Sequence, residues 1–155
     1  MEKIRNKIRK LHSALESIPT YQSDEACGAD VCAFWDGSSG SIALKPNERM
    51  LIPTGLSFEI PKGYEIQVRP RSGLAVKSGI TILNSPGTID SDYRGELQLI
   101  VINLSDKEFI IKNGDRLAQL VVAPVIRAEF IESQELAVSN RGSAGFGSTG
   151  LDKNI

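Results

Sequence analysis

Residues 97–104 (LQLIVINL) are apolar at every position except Gln98 and Asn103. Such a short run, rich in β-branched residues, predicts a strand covered on both faces. Segments of similar character occur at residues 49–60 (RMLIPTGLSFEI), 64–69 (YEIQVR), 109–111 (FII) and 116–122 (RLAQLVV). Turn residues punctuate them: Pro61-Lys62-Gly63 follows the first, and Asn113-Gly114 predicts a type I′ hairpin between the last two. Strands so spaced, with no helical period between them, predict an all-β sandwich, barrel or jelly roll. The N-terminal end departs from this pattern. Ile4, Ile8, Leu11, Leu15 and Ile18 recur at steps of four and three, the stripe of an amphipathic helix that Pro19 then ends.

Length and charge narrow the picture. The chain has 155 residues, about one domain, so a strand apolar on both faces points to cover from a second subunit. A formal net charge of −1 gives no electrostatic case for nucleic-acid or membrane binding. No apolar run approaches the ~20 residues of a membrane span, and no secretory apolar region follows Met1. Cys27 and Cys32, spaced C-x4-C without a second pair, predict reduced thiols and a cytoplasmic setting. His12 is the only histidine. Hydrolytic chemistry must therefore use carboxylates, arginines, hydroxyls or a metal rather than a histidine-centred triad.

Candidate chemistry lies in five polar, glycine-rich stretches: GADVCA (28–33), RPRSGLAVKSG (69–79), NSPGTIDSDYRGEL (84–97), NGDRLAQL (113–120) and RGSAGFGSTG (141–150). The last contains G-x-G-x-x-G, but that fingerprint works only between a strand and a helix, and no helical pattern follows Gly150. In the second stretch, Arg71, Ser72 and Gly73 precede a short helical turn at residues 74–77. Backbone N–H groups there, with a guanidinium and a hydroxyl, suit phosphate oxygens. In the third, Gly87 and Gly95 bracket Asp90, Asp92 and Tyr93 in a long hairpin able to accept a flat ring. By residue type alone the aspartates form a metal pair, a base with a bystander, or two solvated turn residues.

In this order the five stretches resemble the motifs of the trimeric deoxyuridine triphosphate nucleotidohydrolases (dUTPases), over residues 18–150. PRSGLA, GTIDSDYRGE and GDRLAQ are the most specific; the N-terminal segment lies outside the resemblance. The resemblance implies an all-β jelly-roll homotrimer with active sites shared between subunits. It divides the chain into a helical extension (1–18), a β domain (19–136) and a flexible C-terminal arm (137–155). The implied reaction is hydrolysis of dUTP to dUMP and pyrophosphate by attack of water on the α-phosphorus, with Mg2+. That reaction limits uracil in DNA and supplies dUMP for dTMP synthesis.

The resemblance also implies residue roles. Asp90 is the general base, and Asp92 is structural. Arg71, Ser72 and Gly73 hold the phosphates, with Ser72 near the bond that breaks, and Gln119 adds a polar contact. The hairpin from Asn84 through Gly87, Thr88 and Ile89 to Gln98 reads uracil, and Tyr93 packs on the deoxyribose. Asp30 holds magnesium through water. Arg141 reaches the terminal phosphate, Phe146 stacks on the base, and Gly147 and Ser148 donate to phosphates, so the arm is a lid. Two positions depart from the family pattern. Ala144 stands where many relatives have glycine and is strained if its φ is positive; Ser78 stands where histidine is common. A related deoxycytidine triphosphate deaminase would carry a catalytic glutamate near Ile100, and a third reading is a non-catalytic jelly-roll binding module.

Overall fold

The computed structural model describes residues 3–37 and 40–145. Twelve strands and one short helix follow in chain order: β1 (Lys7–Lys10), β2 (Thr20–Tyr21), β3 (Ala29–Cys32), β4 (Ser41–Leu44), β5 (Arg49–Pro53), β6 (Leu56–Glu59), β7 (Tyr64–Pro70), α1 (Ser72–Ser78), β8 (Ile80–Ile82), β9 (Gly87–Ile89), β10 (Gln98–Asn103), β11 (Phe109–Lys112) and β12 (Arg116–Pro124). All pairings are antiparallel. One sheet runs β2-β3-β12-β7-β9, another β5-β10-β8, and β1–β6 and β4–β11 form two-stranded ribbons. The pairs β3–β12, β4–β11 and β5–β10 are nested one inside another along the chain. The predicted all-β class therefore holds.

Alternation places the core. Val31, Ile66, Val68, Ala118 and Leu120 point inward from the large sheet, and Ile52, Ile80, Ile82, Leu99 and Val101 meet them from the small one. Each fully buried aliphatic chain contributes roughly 1.5–3 kcal/mol of burial. The expected double cover of residues 97–104 is only half supplied within one chain. Leu99, Val101 and Asn103 are fully buried, whereas Ile100 and Ile102 are half-buried and neighbouring Leu51, Leu83 and Leu104 are exposed. Asn103 is tolerated inside because its amide donates to the Leu44 and Lys107 carbonyls and its oxygen accepts from Ser105.

The N-terminal helix predicted for residues 1–18 does not form in the described part of that segment. Lys7–Lys10 is a strand paired with β6, with Ile8 opposite Phe58. The step of four from Ile4 to Ile8 fits a period of two as well as 3.6. Ile4, Asn6 and Ile8 are half-buried while Lys3, Arg5, Lys7 and Arg9 face water. In a helix, Lys3–Lys7 and Arg5–Arg9 would be like-charge pairs four residues apart. As a strand, Lys7 instead reaches Glu59 at 2.8 Å, and the segment pairs with β6. Leu15 then tucks into the core beside Gly55 and Phe34.

Asn113-Gly114 is a turn but not the predicted hairpin. Gly114 has φ +87°, while Asn113 stays out of the left-handed region that a type I′ turn needs at both central positions. The Asp115 N–H closes the turn on the Lys112 carbonyl at 3.0 Å. Asn113 exchanges side-chain bonds with the Trp35 backbone, and β11 and β12 separate to pair with β4 and β3. Beyond Pro124 no described residue is in a strand. Ile126, Phe130, Ile131, Leu136 and Val138 are at least 79 % exposed.

Candidate functional site

Three of the five polar stretches converge at β3, β12 and the end of β7, the central strands of the large sheet. Asp30 sits in β3, Gln119 lies directly opposite it in β12, and Arg71 caps α1 where β7 ends. A cavity of about 260 Å³ there is lined by Gln22, Ala26, Gly28, Asp30, Arg71, Ser72, Gly73 and Gln119. Asp30 is nearly buried, and its carboxylate is shared by two cations: Arg71 Nε lies 3.3 Å from one oxygen and Arg116 Nη1 3.0 Å from the other. Arg71 Nη1 also donates to the Arg116 carbonyl at 2.8 Å. Gln119 Nε2 donates to the Pro70 carbonyl at 3.0 Å. Gly28 allows this approach, since a Cβ there would lie 2.5 Å from Gln119 Oε1.

Helix α1 spans Ser72–Ser78, close to the predicted turn at residues 74–77. Its first N–H groups have no acceptor within the helix, and Ser72 and Gly73 line the cavity. It ends on Gly79, whose φ of +64° supplies the left-handed cap. Ser78 is half-buried at this end, away from the cavity lining. Guanidinium, hydroxyl and backbone donors around a nearly buried carboxylate suit a polyanion accompanied by a cation. Burial pushes the thiol of Cys32, two residues along β3 from Asp30, above the usual range despite a hydrogen bond with Ser17 and the nearby Arg116 guanidinium.

The hairpin of residues 84–98 stands apart from this cavity and contributes none of its lining. Its near arm is β9, paired with β7 so that Gly87 lies opposite Val68, where a Cβ on Gly87 would make a tight contact at 3.2 Å. Its base is bolted to the turn between β5 and β6. Thr54 Oγ1 donates to the Leu97 carbonyl at 2.6 Å, Glu96 accepts from the Gly55 N–H at 2.7 Å, and Ser57 Oγ donates to the Arg94 carbonyl at 2.8 Å. Tyr93 folds over Gly95, where any Cβ would strike its ring, and its hydroxyl donates to the Glu96 carbonyl at 3.0 Å. Asn84, Thr88, Asp90 and Gln98 are exposed and Ile89 is half-buried. The Asp90 carboxylate makes no side-chain hydrogen bond or ion pair among the described residues.

Of the predicted residues, then, one chain brings together Asp30, Arg71, Ser72, Gly73 and Gln119, and holds Asn84, Gly87, Thr88, Ile89, Asp90, Tyr93 and Gln98 in a second group. Arg141 joins neither, its Nε donating to the Ala144 carbonyl in a local turn. Ala144 avoids a positive φ, which Gly142 takes instead at +52°, so the strain considered for Ala144 does not arise. Phe146, Gly147 and Ser148 lie outside the described residues. Sequence reasoning missed Arg116, although it stands inside GDRLAQ, and Gln22, which carries no motif signal. A larger cavity, about 820 Å³, is lined by Lys3, Ile4 and Asn6 together with Tyr21, Tyr64 and Cys27 and includes none of the predicted site residues.

Comparison with known proteins closes the question of family. The dUTPase family profile matches residues 16–150. A deoxyuridine 5′-triphosphate nucleotidohydrolase of Bdellovibrio bacteriovorus is 56% identical over 150 residues, covering 97% of this chain and 99% of its own. Its counterpart in Chlamydia pneumoniae is 58% identical over 134 residues, covering 86% and 90%. Among solved structures, the Staphylococcus bacteriophage 80alpha dUTPase with dUPNHPP superposes with a TM-score of 0.79 at 26% identity, over 95% of this chain and 99% of that one. With five motifs in order, a two-sheet β fold and matches spanning nearly its whole length, the chain belongs to the dUTPase family.

Proposed function

We propose that this chain hydrolyses dUTP to dUMP and pyrophosphate, keeping uracil out of DNA and supplying dUMP for dTMP synthesis. The observation that carries the reading is the convergence of Asp30, Arg71, Ser72, Gly73 and Gln119 on one cavity. They come from three separate stretches of sequence, and they offer the donors a triphosphate needs. The exposed Asp90 carboxylate takes a proton from water as the water oxygen bonds to the α-phosphorus. The bond to the bridging oxygen breaks, and pyrophosphate leaves with the electron pair. General-base assistance of this kind is worth about 10²–10⁴ in rate. Arg71, Ser72 and the first N–H groups of α1 hold the phosphates in line and spread their charge.

A magnesium ion fits this arrangement. Among the described residues, Asp30 is the only carboxylate in the cavity lining, and no three His, Cys, Asp or Glu side chains cluster into a cage. One outer carboxylate suits an ion that keeps its waters and relies on substrate phosphates. When bound, it neutralises phosphate charge.

Base selection falls to the hairpin backbone. An Asn84 amide turned by half a turn accepts cytosine as readily as uracil, whereas backbone groups cannot flip. A donor facing a donor costs about 1–3 kcal/mol. Tyr93, pinned through its hydroxyl, offers its ring to the deoxyribose and leaves no room for a 2′-hydroxyl. Arg141, Phe146, Gly147 and Ser148 complete the site as the arm closes.

The working unit is a homotrimer, and the hairpin of one chain completes the cavity of another. Two features support this: the hairpin is absent from its own chain's cavity, and the outer face of β5-β10-β8 leaves Leu51 and Leu83 exposed beside half-buried Ile100. Nested strand pairs fit jelly-roll connectivity, and free Cys27 and Cys32 fit a reducing, cytoplasmic setting. No helix among the described residues is long and apolar enough to cross a membrane. A nucleotide panel tests the activity. Pyrophosphate release from dUTP is the expected result; ammonia from dCTP, or no product at all, would overturn it. Ile100, an aliphatic paired with Leu51, already disfavours a deaminase.

A further inference from the structure

Strict alternation forbids one feature of β12 beside the cavity. Arg116 and Gln119 are three residues apart in β12, so on a regular strand they would point to opposite faces. Arg116 pairs with Cys32 and Gln119 with Asp30, and residues directly opposite in a sheet share a face. Cys32 and Asp30, two apart in β3, also share a face. All four side chains therefore stand on one side of the sheet. The register shift between Arg116 and Ala118 makes this possible, and it leaves both Leu117 and Ala118 buried in the core. A bulge that re-aims a side chain beside a site is a recurring device.

We infer that Arg116 is a positioning residue: delivered by this bulge, it holds the Asp30 carboxylate so that Arg71 stays available to the substrate phosphates. The inference rests on the triphosphate reading of the cavity. Arg116 occupies one Asp30 oxygen at 3.0 Å, leaving Arg71 Nε to meet only the other at 3.3 Å. It steadies Arg71 a second way, by accepting Nη1 at its main-chain carbonyl. Without the Arg116 side chain, the freed carboxylate oxygen turns to Arg71. A two-oxygen grip then competes with phosphate for the same guanidinium fork.

The test is binding in the absence of divalent metal, measured by calorimetry. The probes are a non-hydrolysable α,β-imido analogue of dUTP and inorganic pyrophosphate, with deoxyuridine followed by NMR as the control for the base pocket. Arg116→Ala is expected to weaken analogue and pyrophosphate about tenfold or more, with deoxyuridine affinity unchanged. Arg116→Lys should restore part of the loss. In an Asp30→Asn background the same Arg116→Ala change should have no further effect. A simple loss of positive charge would instead weaken binding by the same factor in both backgrounds, and that result would overturn the inference. Unchanged analogue binding in Arg116→Ala, or parallel loss of deoxyuridine binding in both Arg116 variants, would overturn it too. Failure of the unsubstituted protein to bind the analogue would bring down the triphosphate reading itself, and the inference with it.

Discussion

Around Asp30 the cavity side chains hold one another. Arg71 and Arg116 grip one carboxylate, and Gln119 is tied to Pro70. In the hairpin of residues 84–98 the reverse applies. Thr54, Ser57 and Glu96 fix its base, while Asn84, Asp90 and Gln98 stand exposed at its working surface. One region is a mutually held cluster; the other is a rigid frame on whose surface the Asp90 carboxylate makes no side-chain hydrogen bond among the described residues. The difference teaches where stability and chemistry are coupled. In the cavity a side chain proposed for the chemistry is also a structural one, whereas at the hairpin surface the proposed base is not.

Substitutions sharpen that contrast. Asp90→Asn should show the largest effect, a fall in kcat of about 10²–10⁴, with nucleotide affinity and the thermal midpoint unchanged. Steady-state kinetics and calorimetry check both halves, and near-normal turnover removes Asp90 as the base. Asp30→Asn should break the separation, costing activity together with about 1–3 kcal/mol of stability, because two guanidiniums lose their shared anion. Denaturant titration reads that loss; an unchanged midpoint would mean that the grip contributes nothing to the fold. Thr54→Val leaves the Leu97 carbonyl unsatisfied at a position only 1% exposed, and should cost about 1–2 kcal/mol. Its kinetic signature should be a raised KM with kcat nearly intact.

The smallest effect lies away from both regions, at the hold of β1 on β6. A hydrogen bond and the charge of Lys7 keep the Glu59 carboxyl below its usual range. A group depressed in the folded state adds stability above its unfolded pKa and loses it as pH falls through the folded value. Stability should therefore decline slightly in acid, from the ordinary carboxylate range downward. Lys7→Met should abolish that part of the slope, and an unaltered pH profile in the variant would deny the pair any role.

The same contrast explains what the sequence made legible. Residues 97–104 declared a strand because burial repeats along it, whereas the phosphate-binding role expected of PRSGLA and GDRLAQ came chiefly from the family resemblance. The N-terminal segment misled because Ile4 and Ile8 satisfy two periods at once, and only pairing with β6, some fifty residues away, decides between them. Asn113-Gly114 signalled a turn correctly, but long-range pairing of β11 with β4 set its geometry. Arg116 stayed hidden for a similar reason. Its partner Asp30 lies 86 residues away, and the bulge that joins them leaves no signature in hydrophobic alternation beyond the adjacent apolar pair Leu117-Ala118.

The central claim is that the hairpin of one chain serves the cavity of another. Co-expressing differently tagged Asp90→Asn and Arg71→Ala chains, each inactive alone, and assaying the purified mixed oligomers tests it most directly. If hairpin and cavity come from different chains, some sites in a mixed oligomer contain neither substitution, and dUTP hydrolysis reappears. If both come from the same chain, every site keeps one defect, and mixed oligomers as inactive as their parents would contradict the account.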